Sequence, residues 1–250
     1  TIKDAIVLGM VIYIPHYAAT CHPLDELAAR KQMSKTNVFL DMFVYGEYSS
    51  YYWSQMVKNN TLPDIQEGDL EVMRKNTVDW LSFSYYMSAT AKDGSSGVKA
   101  GGNLQVELNP YLKASEWGWT IDPIGIRIAL RDLYEKYRMP IMVVENGFGM
   151  RDIFENGTVI DDERIYYMKD HIEQIGIAIE EGVDCRGYLM WGPIDILSSQ
   201  GEMGKRYGMI YVNRDDKDLK DMKRYKKKSF NWYQKVIQTN AKDIEIGSVI

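Results

Sequence analysis

The sequence predicts an α/β fold, because four short apolar runs alternate with longer helical stretches. The runs are Ala5–Ile14, Val78–Phe83, Pro140–Val144 and Arg186–Trp191. Their length and composition are typical of buried strands. Strands that alternate with helices along a chain form parallel sheets through right-handed crossovers. We therefore expect a parallel sheet with its connecting helices packed against it.

Helices are predicted in the intervals between these strands and after the last one. They are Pro23–Met56 (interrupted near Tyr45-Gly46), Asp69–Lys75, Pro123–Tyr137, Asp161–Glu181 and Lys226–Thr239. Asp122-Pro123 is a good helix start, since proline is preorganised for the first helical position. The last helix is expected to pack Phe230, Tyr233 and Ile237 against the body. Long loops, 87–120 and 192–206, follow the second and fourth strands, and no linker divides residues 1–250 into two domains.

Composition and charge exclude several classes of function. The chain has 250 residues, of which 45% are hydrophobic, and a formal net charge of -5, which fits one sizeable core. No apolar run reaches the roughly 18 residues that suggest a membrane span. The mild acidity argues against a nucleic-acid partner, and we interpret the basic run Lys223–Lys228 as a solvated helix face.

The cysteines and histidines do not suggest a metal or a cofactor. Cys21 and Cys185 lie far apart in the sequence, so we expect free thiols and a reducing cytoplasm. His16, His22 and His171 lack a metal-ligand spacing backed by a third ligand. We interpret them as structural or solvent-facing residues.

Glu145 is the most informative single residue. In the segment PIMVVENGF, Pro140–Phe148, a buried strand delivers Glu145 to its carboxyl end and a turn follows at Asn146-Gly147. The carboxyl ends of parallel barrel strands are where such folds place their chemistry. From the residues alone, a carboxylate that solvates a turn is an equal alternative.

Ordered sequence blocks identify a family. They are SFSYYMS (82–88), NPYLKASEWGWTIDPIGIR (109–127), PIMVVENGFG (140–149), GYLMWGPIDILSS (187–199), KRYGMIYV (205–212) and KKKSFNWYQKVI (226–237). In this order they resemble the C-terminal half of a family 1 glycoside hydrolase, specifically the bacterial 6-phospho-β-glucosidases. The resemblance implies a (β/α)8 TIM barrel to which this chain supplies about four β/α units, strands five to eight. Residues 1–250 would then be the C-terminal half of a single barrel domain.

The resemblance implies that Glu145 is the nucleophile of a retaining β-glycosidase. Such enzymes hold a nucleophilic carboxylate roughly 5–5.5 Å from a protonated carboxylic acid. Tyr86 matches the tyrosine that donates a hydrogen bond to the nucleophile, which would favour the ionised carboxylate. Ser84 stands where the family commonly has asparagine. An aromatic side chain packed under the barrel mouth is the alternative for Tyr86.

Two tryptophans match aromatic surfaces of the family's sugar site. Trp191 corresponds to the platform beneath the sugar ring, with a core tryptophan as the alternative. Trp119 corresponds to the aromatic wall beside the leaving group, although Trp117 lies close by on the same loop.

A phosphate site is implied by three further residues. Ser198-Ser199 replaces a Glu-Trp pair that holds sugar hydroxyls in ordinary family members, and Lys205 and Tyr207 follow. A carboxylate facing a phosphate is strongly disfavoured at low dielectric. Ser198, Lys205 and Tyr207 together would suit a 6-phosphate dianion. Phospho-β-galactosidases typically have tryptophan at the position of Ser199, so we expect a gluco substrate.

One catalytic carboxylate of the family is missing from the sequence. The family's acid/base glutamate follows an asparagine at the end of strand four, and no such pair occurs here. Glu47 and Glu116 are conceivable substitutes, but neither follows a suitable strand. General acid–base assistance contributes ~10²–10⁴-fold in rate, so this chain alone should be a poor catalyst.

Four strands also leave a barrel open. We expect exposed edges at Ile6–Ile12 and Gly187–Trp191, which invite pairing with other strands. The chain should pair with an N-terminal barrel half, in the same or a separate chain, or self-associate. The expected activity is hydrolysis of 6-phospho-β-D-glucosides to glucose 6-phosphate and an aglycone. The alternative is a non-catalytic half-barrel that binds phosphosugar or serves in assembly.

Overall fold

The computed structural model describes residues 4–99, 105–199 and 201–246. Its strands are β1 (Leu8–Ile12), β2 (His16–Ala18), β3 (Trp80–Ser84), β4 (Ala89–Ala91), β5 (Val98–Lys99), β6 (Gln105–Val106), β7 (Ile141–Glu145), β8 (Phe154–Glu155), β9 (Thr158–Val159), β10 (Cys185–Tyr188), β11 (Ile210–Val212) and β12 (Arg224–Lys226). Its helices are α1 (Pro23–Tyr45), α2 (Ser50–Asn59), α3 (Asp69–Lys75), α4 (Pro123–Tyr137), α5 (Asp162–Glu180) and α6 (Lys228–Gln238).

The central sheet has four parallel strands in the order β1-β3-β7-β10. Val11 pairs with Phe83, Phe83 pairs with Val143, and Tyr188 pairs with Val143 from the other side. Successive strands are neighbours, and at least one helix lies between each pair along the chain. The predicted parallel α/β architecture is confirmed.

The start of α4 and the end of α1 are set by residues that the sequence analysis could recognise. Helix α4 begins after Asp122, whose side chain accepts a hydrogen bond from the Gly125 amide, with Pro123 in the first turn. The long helix predicted from Pro23 is divided at Gly46, which has a φ of 64°. A Cβ at Gly46 would lie 2.4 Å from Arg74 Cα, so both conformation and space require glycine.

The main core lies between the sheet and its helices. On β3, Leu81 and Phe83 face the helices and pack with Ile126 and Leu130 of α4. A second cluster joins α5 to α6 through residues that include Trp232 and Val236. Burying a large apolar side chain stabilises the fold by about 1.5–3 kcal/mol.

Two expectations for the C-terminal region are wrong. Phe230 and Tyr233 pack against the body as expected, but Ile237 is 63% exposed. The buried stripe of α6 is centred on Trp232 and Val236, one position earlier in the helix than Tyr233 and Ile237. The basic run is not a solvated helix face either. Part of it forms β12, and Lys227 is 1% exposed because aspartates surround its ammonium group.

The other face of the sheet is open along both edges. On edge strand β1, the side chains of Leu8, Met10 and Ile12 are 37%, 42% and 64% exposed. Leu189, which follows edge strand β10, is 48% exposed. The expected open, apolar edges are therefore present.

Two further features are the character of the helices and the state of the cysteines. Within the described residues, no helix combines the length and apolar character that crossing a membrane requires. Cys21 is exposed and Cys185 is half-buried, and both are free thiols, as predicted.

Candidate active site

A bulge at the end of β7 directs Glu145 into the open face of the sheet. Phe83 pairs with Val143, but the next residue, Ser84, pairs with Glu145, so Val144 is an extra residue in β7. Side chains alternate between the two faces of a strand, and an extra residue shifts that alternation. Glu145 therefore shares a face with Ser84, away from the helix-facing core.

Tyr86 donates a hydrogen bond from its hydroxyl to Glu145 Oε2 at 3.1 Å. Its ring lies 5.5 Å from the Trp119 ring and 6.2 Å from the Tyr207 ring, centroid to centroid. Burial, together with the neighbouring Glu145 carboxylate, raises the pKa of Tyr86 well above its usual range. The phenol therefore remains a hydrogen-bond donor at neutral pH.

Asn146 fixes the backbone around Glu145, a role that the sequence analysis missed. It is fully buried, and its Nδ2 donates to the Tyr85 carbonyl at 2.7 Å. Its Oδ1 accepts from the Tyr188 hydroxyl at 2.8 Å. Tyr167 donates from its hydroxyl to the Tyr86 carbonyl at 3.0 Å. The Asn-Gly pair had suggested only a turn, and the distant tyrosines carry no local signal.

His171 contacts Tyr167, one of the residues that support the backbone around Glu145. Its Nδ1 lies 2.6 Å from the Tyr167 carbonyl, and its ring stacks on the Tyr167 ring with centroids 3.9 Å apart. Burial lowers the pKa of His171 to about 4, so the ring is neutral near pH 7 and Nδ1 carries the donated proton. Among the described residues, no group of three or more His, Cys, Asp or Glu side chains could hold a metal ion.

Lys205 lies in an aromatic cage next to Tyr86. Its side chain is buried, and its Nζ is 3.5 Å from the Trp119 ring centroid, 5.2 Å from that of Trp117 and 5.6 Å from that of Tyr207. Ring faces attract cations, yet burial lowers the pKa of Lys205 to about 8. The structure thus joins Lys205, Tyr207 and Trp119 to the pair formed by Glu145 and Tyr86.

Small residues after β7 leave room for this cage. A Cβ at Gly149 would lie 2.9 Å from Lys205 Cε and from Tyr207 Cζ. A Cβ at Gly147 would lie 3.6 Å from Trp191 Cβ. The Trp191 amide donates to the Asn146 carbonyl at 2.8 Å, so the half-buried Trp191 lies beside the turn that follows Glu145.

Ser198 lies in the loop that leads to Lys205. Its Oγ accepts from the Glu202 amide at 3.2 Å. The Glu202 carboxylate in turn accepts from Trp117 Nε1 at 3.0 Å, and its charge acts to raise the pKa of Lys205. Trp117 and Glu202, which the sequence analysis did not assign, therefore connect Ser198 to the cage. Ser199 is exposed.

Neither conceivable substitute for the missing acid is placed like Glu145. Glu47 follows α1, at the end of the sheet where β3 begins, and pairs with Arg74 at 3.0 Å. Glu116 is an exposed residue that pairs with Arg151 at 2.9 Å. Both carboxylates are more than half exposed and paired with an arginine at the surface, away from the open face of the sheet that Glu145 enters.

Comparison with known proteins decides the family. The sequence profile of glycosyl hydrolase family 1 matches residues 2–242. This chain belongs to glycosyl hydrolase family 1. The resemblance drawn from the sequence blocks is thereby confirmed.

Two curated relatives of the chain carry phospho-glucosidase names. An aryl-phospho-beta-D-glucosidase, BglH of Bacillus subtilis (strain 168), is 46% identical over 247 residues, 97% of this chain and 53% of the relative. A 6-phospho-beta-glucosidase of Clostridium longisporum is 47% identical over 245 residues, 94% of this chain and 51% of the relative. The chain spans about half the length of the curated relatives it matches.

A solved structure of a beta-glucosidase supports the fold class. The crystal structure of a beta-glucosidase from Exiguobacterium marinum superposes with a TM-score of 0.81 at 27% identity. The match covers 95% of this chain and 53% of that chain. The predicted partial (β/α)8 barrel is thus confirmed.

Proposed function

We propose that residues 1–250 form the C-terminal half of a single barrel domain in a retaining 6-phospho-β-glucosidase. This enzyme hydrolyses 6-phospho-β-D-glucosides to glucose 6-phosphate and an aglycone. The observation that carries the proposal is the buried Lys205 ammonium, caged by Trp119 and Tyr207 beside the Tyr86–Glu145 hydrogen bond. The names of the two relatives support the substrate class.

Glu145 is the nucleophile in this mechanism. A carboxylate oxygen attacks the anomeric carbon while an acid protonates the leaving oxygen, giving a glycosyl-enzyme and a free aglycone. The same acid, now a base, takes a proton from water, which attacks the anomeric carbon and releases Glu145 with retained configuration. The Tyr86 hydroxyl orients the carboxylate for attack. The acid comes from the N-terminal half of the barrel.

Lys205, Tyr207 and Ser198 bind the 6-phosphate. An ammonium group, a phenol and a hydroxyl all donate to phosphate oxygens, and a charged partner strengthens such hydrogen bonds. With a pKa of about 8, Lys205 is mostly protonated at pH 7. Trp191 forms the platform beneath the sugar ring. Trp119 forms the wall beside the leaving group as well as one side of the Lys205 cage.

The open edges at β1 and β10 support an N-terminal half as the partner, in the same or a separate chain. Closing an eight-stranded barrel would bury Leu8, Met10 and Ile12. Self-association through the same edges is the competing arrangement. The free thiols at Cys21 and Cys185 fit a reducing compartment, and we propose the cytoplasm.

The competing function is a non-catalytic half-barrel that binds phosphosugar or serves in assembly. The feature that favours it is the exposed, ion-paired state of Glu47 and Glu116, so that neither of these two carboxylates is positioned to act as the acid. The two functions differ in turnover, which a chromogenic substrate measures directly.

The full-length polypeptide that contains these residues should hydrolyse p-nitrophenyl 6-phospho-β-glucoside about 10²-fold more efficiently, in kcat/KM, than the unphosphorylated glucoside. The first-formed anomer, followed by proton NMR, should be β. Residues 1–250 alone should be ~10²–10⁴-fold slower. Equal efficiency with both glucosides, or initial release of the α anomer, would contradict the proposal.

A further inference from the structure

A neutral cluster of six charged side chains lies under the candidate phosphate site. Its cations are Arg164, Arg206 and Lys227, and its anions are Asp152, Asp161 and Asp195. No side chain in the cluster is more than 6% exposed. Buried charges are costly unless they are paired, and here each cation contacts at least one aspartate.

The pairs form a continuous chain of contacts. Arg164 contacts Asp161 and lies 2.9 Å from Asp152. Lys227 contacts Asp152 and lies 2.7 Å from Asp195, and Asp195 lies 2.8 Å from Arg206. The cluster thereby ties the loops after β7 and β10 to the starts of α5 and α6.

Arg206 lies in the chain between Lys205 and Tyr207, and both its guanidinium group and its backbone make hydrogen bonds. Its guanidinium donates to Asp195 Oδ2 at 2.8 Å, to the Val212 carbonyl at 3.0 Å and to the Arg214 carbonyl at 2.7 Å. Its backbone amide donates to the Met150 carbonyl at 3.0 Å, and its own carbonyl accepts from the Met150 amide at 3.0 Å.

Asp195 fixes the residue on the other side of Tyr207. Its Oδ1 accepts from the Gly208 amide at 3.0 Å and from Lys227 Nζ at 2.7 Å. Neighbouring side chains of an extended segment point to opposite faces. With Arg206 directed into the cluster, Lys205 and Tyr207 are directed out of it, toward Trp119 and Gly149.

We propose that Arg206 and Asp195 are positioning residues for the substrate 6-phosphate. They do not touch the phosphate; they set the direction in which Lys205 and Tyr207 meet it. This inference rests on the proposed function of the site. The planar fork of arginine holds one carboxylate and two carbonyls in fixed directions, which a lysine ammonium does not do.

The test uses the full-length enzyme with Arg206→Lys and Asp195→Asn. Asp161→Asn is the matched control. Asp161 belongs to the same cluster, but it accepts from Arg164 and from the amide and hydroxyl of Ser229, at 2.8 and 2.5 Å for Ser229, at the start of α6. KM and kcat are measured with phosphorylated and unphosphorylated p-nitrophenyl glucosides, and unfolding temperatures are recorded for every variant.

Arg206→Lys and Asp195→Asn should raise KM for the phosphorylated substrate by about 10- to 10²-fold, because small misplacements of binding groups have effects of this size. The kcat values and the constants for the unphosphorylated glucoside should stay unchanged. Asp161→Asn should lower the unfolding temperature without raising that KM. An unchanged KM in Arg206→Lys, or the same rise in Asp161→Asn, would overturn the positioning role.

Lys205→Ala, measured in parallel, separates the two proposals. If it removes the phosphate preference while Arg206→Lys keeps the wild-type KM, the positioning role fails and the phosphate site stands. If Lys205→Ala leaves the preference intact, the phosphate site and the inference built on it both fail. Since Arg206→Lys keeps the charge, the variant is expected to fold. Calorimetric titration with glucose 6-phosphate, compared with glucose, gives a second measurement of the loss of phosphate affinity.

Discussion

Replacing Glu145 with glutamine should lower kcat for p-nitrophenyl 6-phospho-β-glucoside by about 10³-fold or more in the full-length enzyme. An amide of the same shape still accepts a hydrogen bond from Tyr86 but does not attack the anomeric carbon. Loss of a covalent nucleophile produces effects of at least this size. Glu145 is half-buried at a strand end, so the substitution should leave the unfolding temperature nearly unchanged.

Glu116→Gln is the control for Glu145→Gln. Glu116 is an exposed carboxylate on the loop that carries Trp117 and Trp119, and its removal should leave kcat unchanged.

A small anion such as azide should partly restore turnover to Glu145→Ala and give the α-glycosyl azide, since the anion attacks from the side that Glu145 had occupied. Full activity in Glu145→Gln would mean that another group attacks.

Replacing Lys205 with alanine should raise KM about 10²-fold for the phosphorylated glucoside and leave the unphosphorylated glucoside unaffected. The variant loses charge-assisted hydrogen bonds, each of which contributes about 1.5–3 kcal/mol. Lys226→Ala is the matched control, because Lys226 is an exposed lysine at the end of β12 that lies over the Phe230 ring. Equal losses for both glucosides would contradict the phosphate site.

The same lysine predicts a pH effect. Burial lowers the pKa of Lys205 to about 8, so the free enzyme loses this positive charge as the pH rises through about 8, well below the range of an ordinary lysine. The kcat/KM for the phosphorylated glucoside should fall over that interval. The fall should be absent from Lys205→Ala and from the unphosphorylated substrate. Below pH ~6 the phosphate itself becomes a monoanion, so affinity should be highest between these values.

Much of the fold follows from local sequence signals. The predicted helices Asp69–Lys75 and Pro123–Tyr137 have the bounds of α3 and α4. At α4 the Asp122 cap and Pro123 mark the start of the helix locally. The interruption near Gly46 was also predicted. The fourth strand was predicted to continue to Trp191, but β10 ends at Tyr188, since an apolar run does not reveal where hydrogen-bonded pairing stops.

The rest of the site depends on contacts between distant segments. The extra residue Val144 turns Glu145 into the site, and this appears only in the register between β3 and β7. Lys227 was expected in solvent because its sequence neighbours are basic, but its partners Asp152 and Asp195 come from other loops. Sequence identified Lys205 and Tyr207 through the family resemblance, whereas Arg206 between them gave no signal of its own.

The most direct test of the central claim is to trap the glycosyl-enzyme. The full-length polypeptide is incubated with a 2-deoxy-2-fluoro-6-phospho-β-glucoside that carries a good leaving group, and its peptides are analysed by mass spectrometry. We predict a single 2-fluoro-6-phosphoglucosyl adduct on Glu145, in the peptide that contains Val143-Val144-Glu145-Asn146. An adduct on a different carboxylate, or turnover of the parent glucoside by an enzyme that releases the α anomer first and forms no adduct, would contradict the assignment of Glu145 as nucleophile.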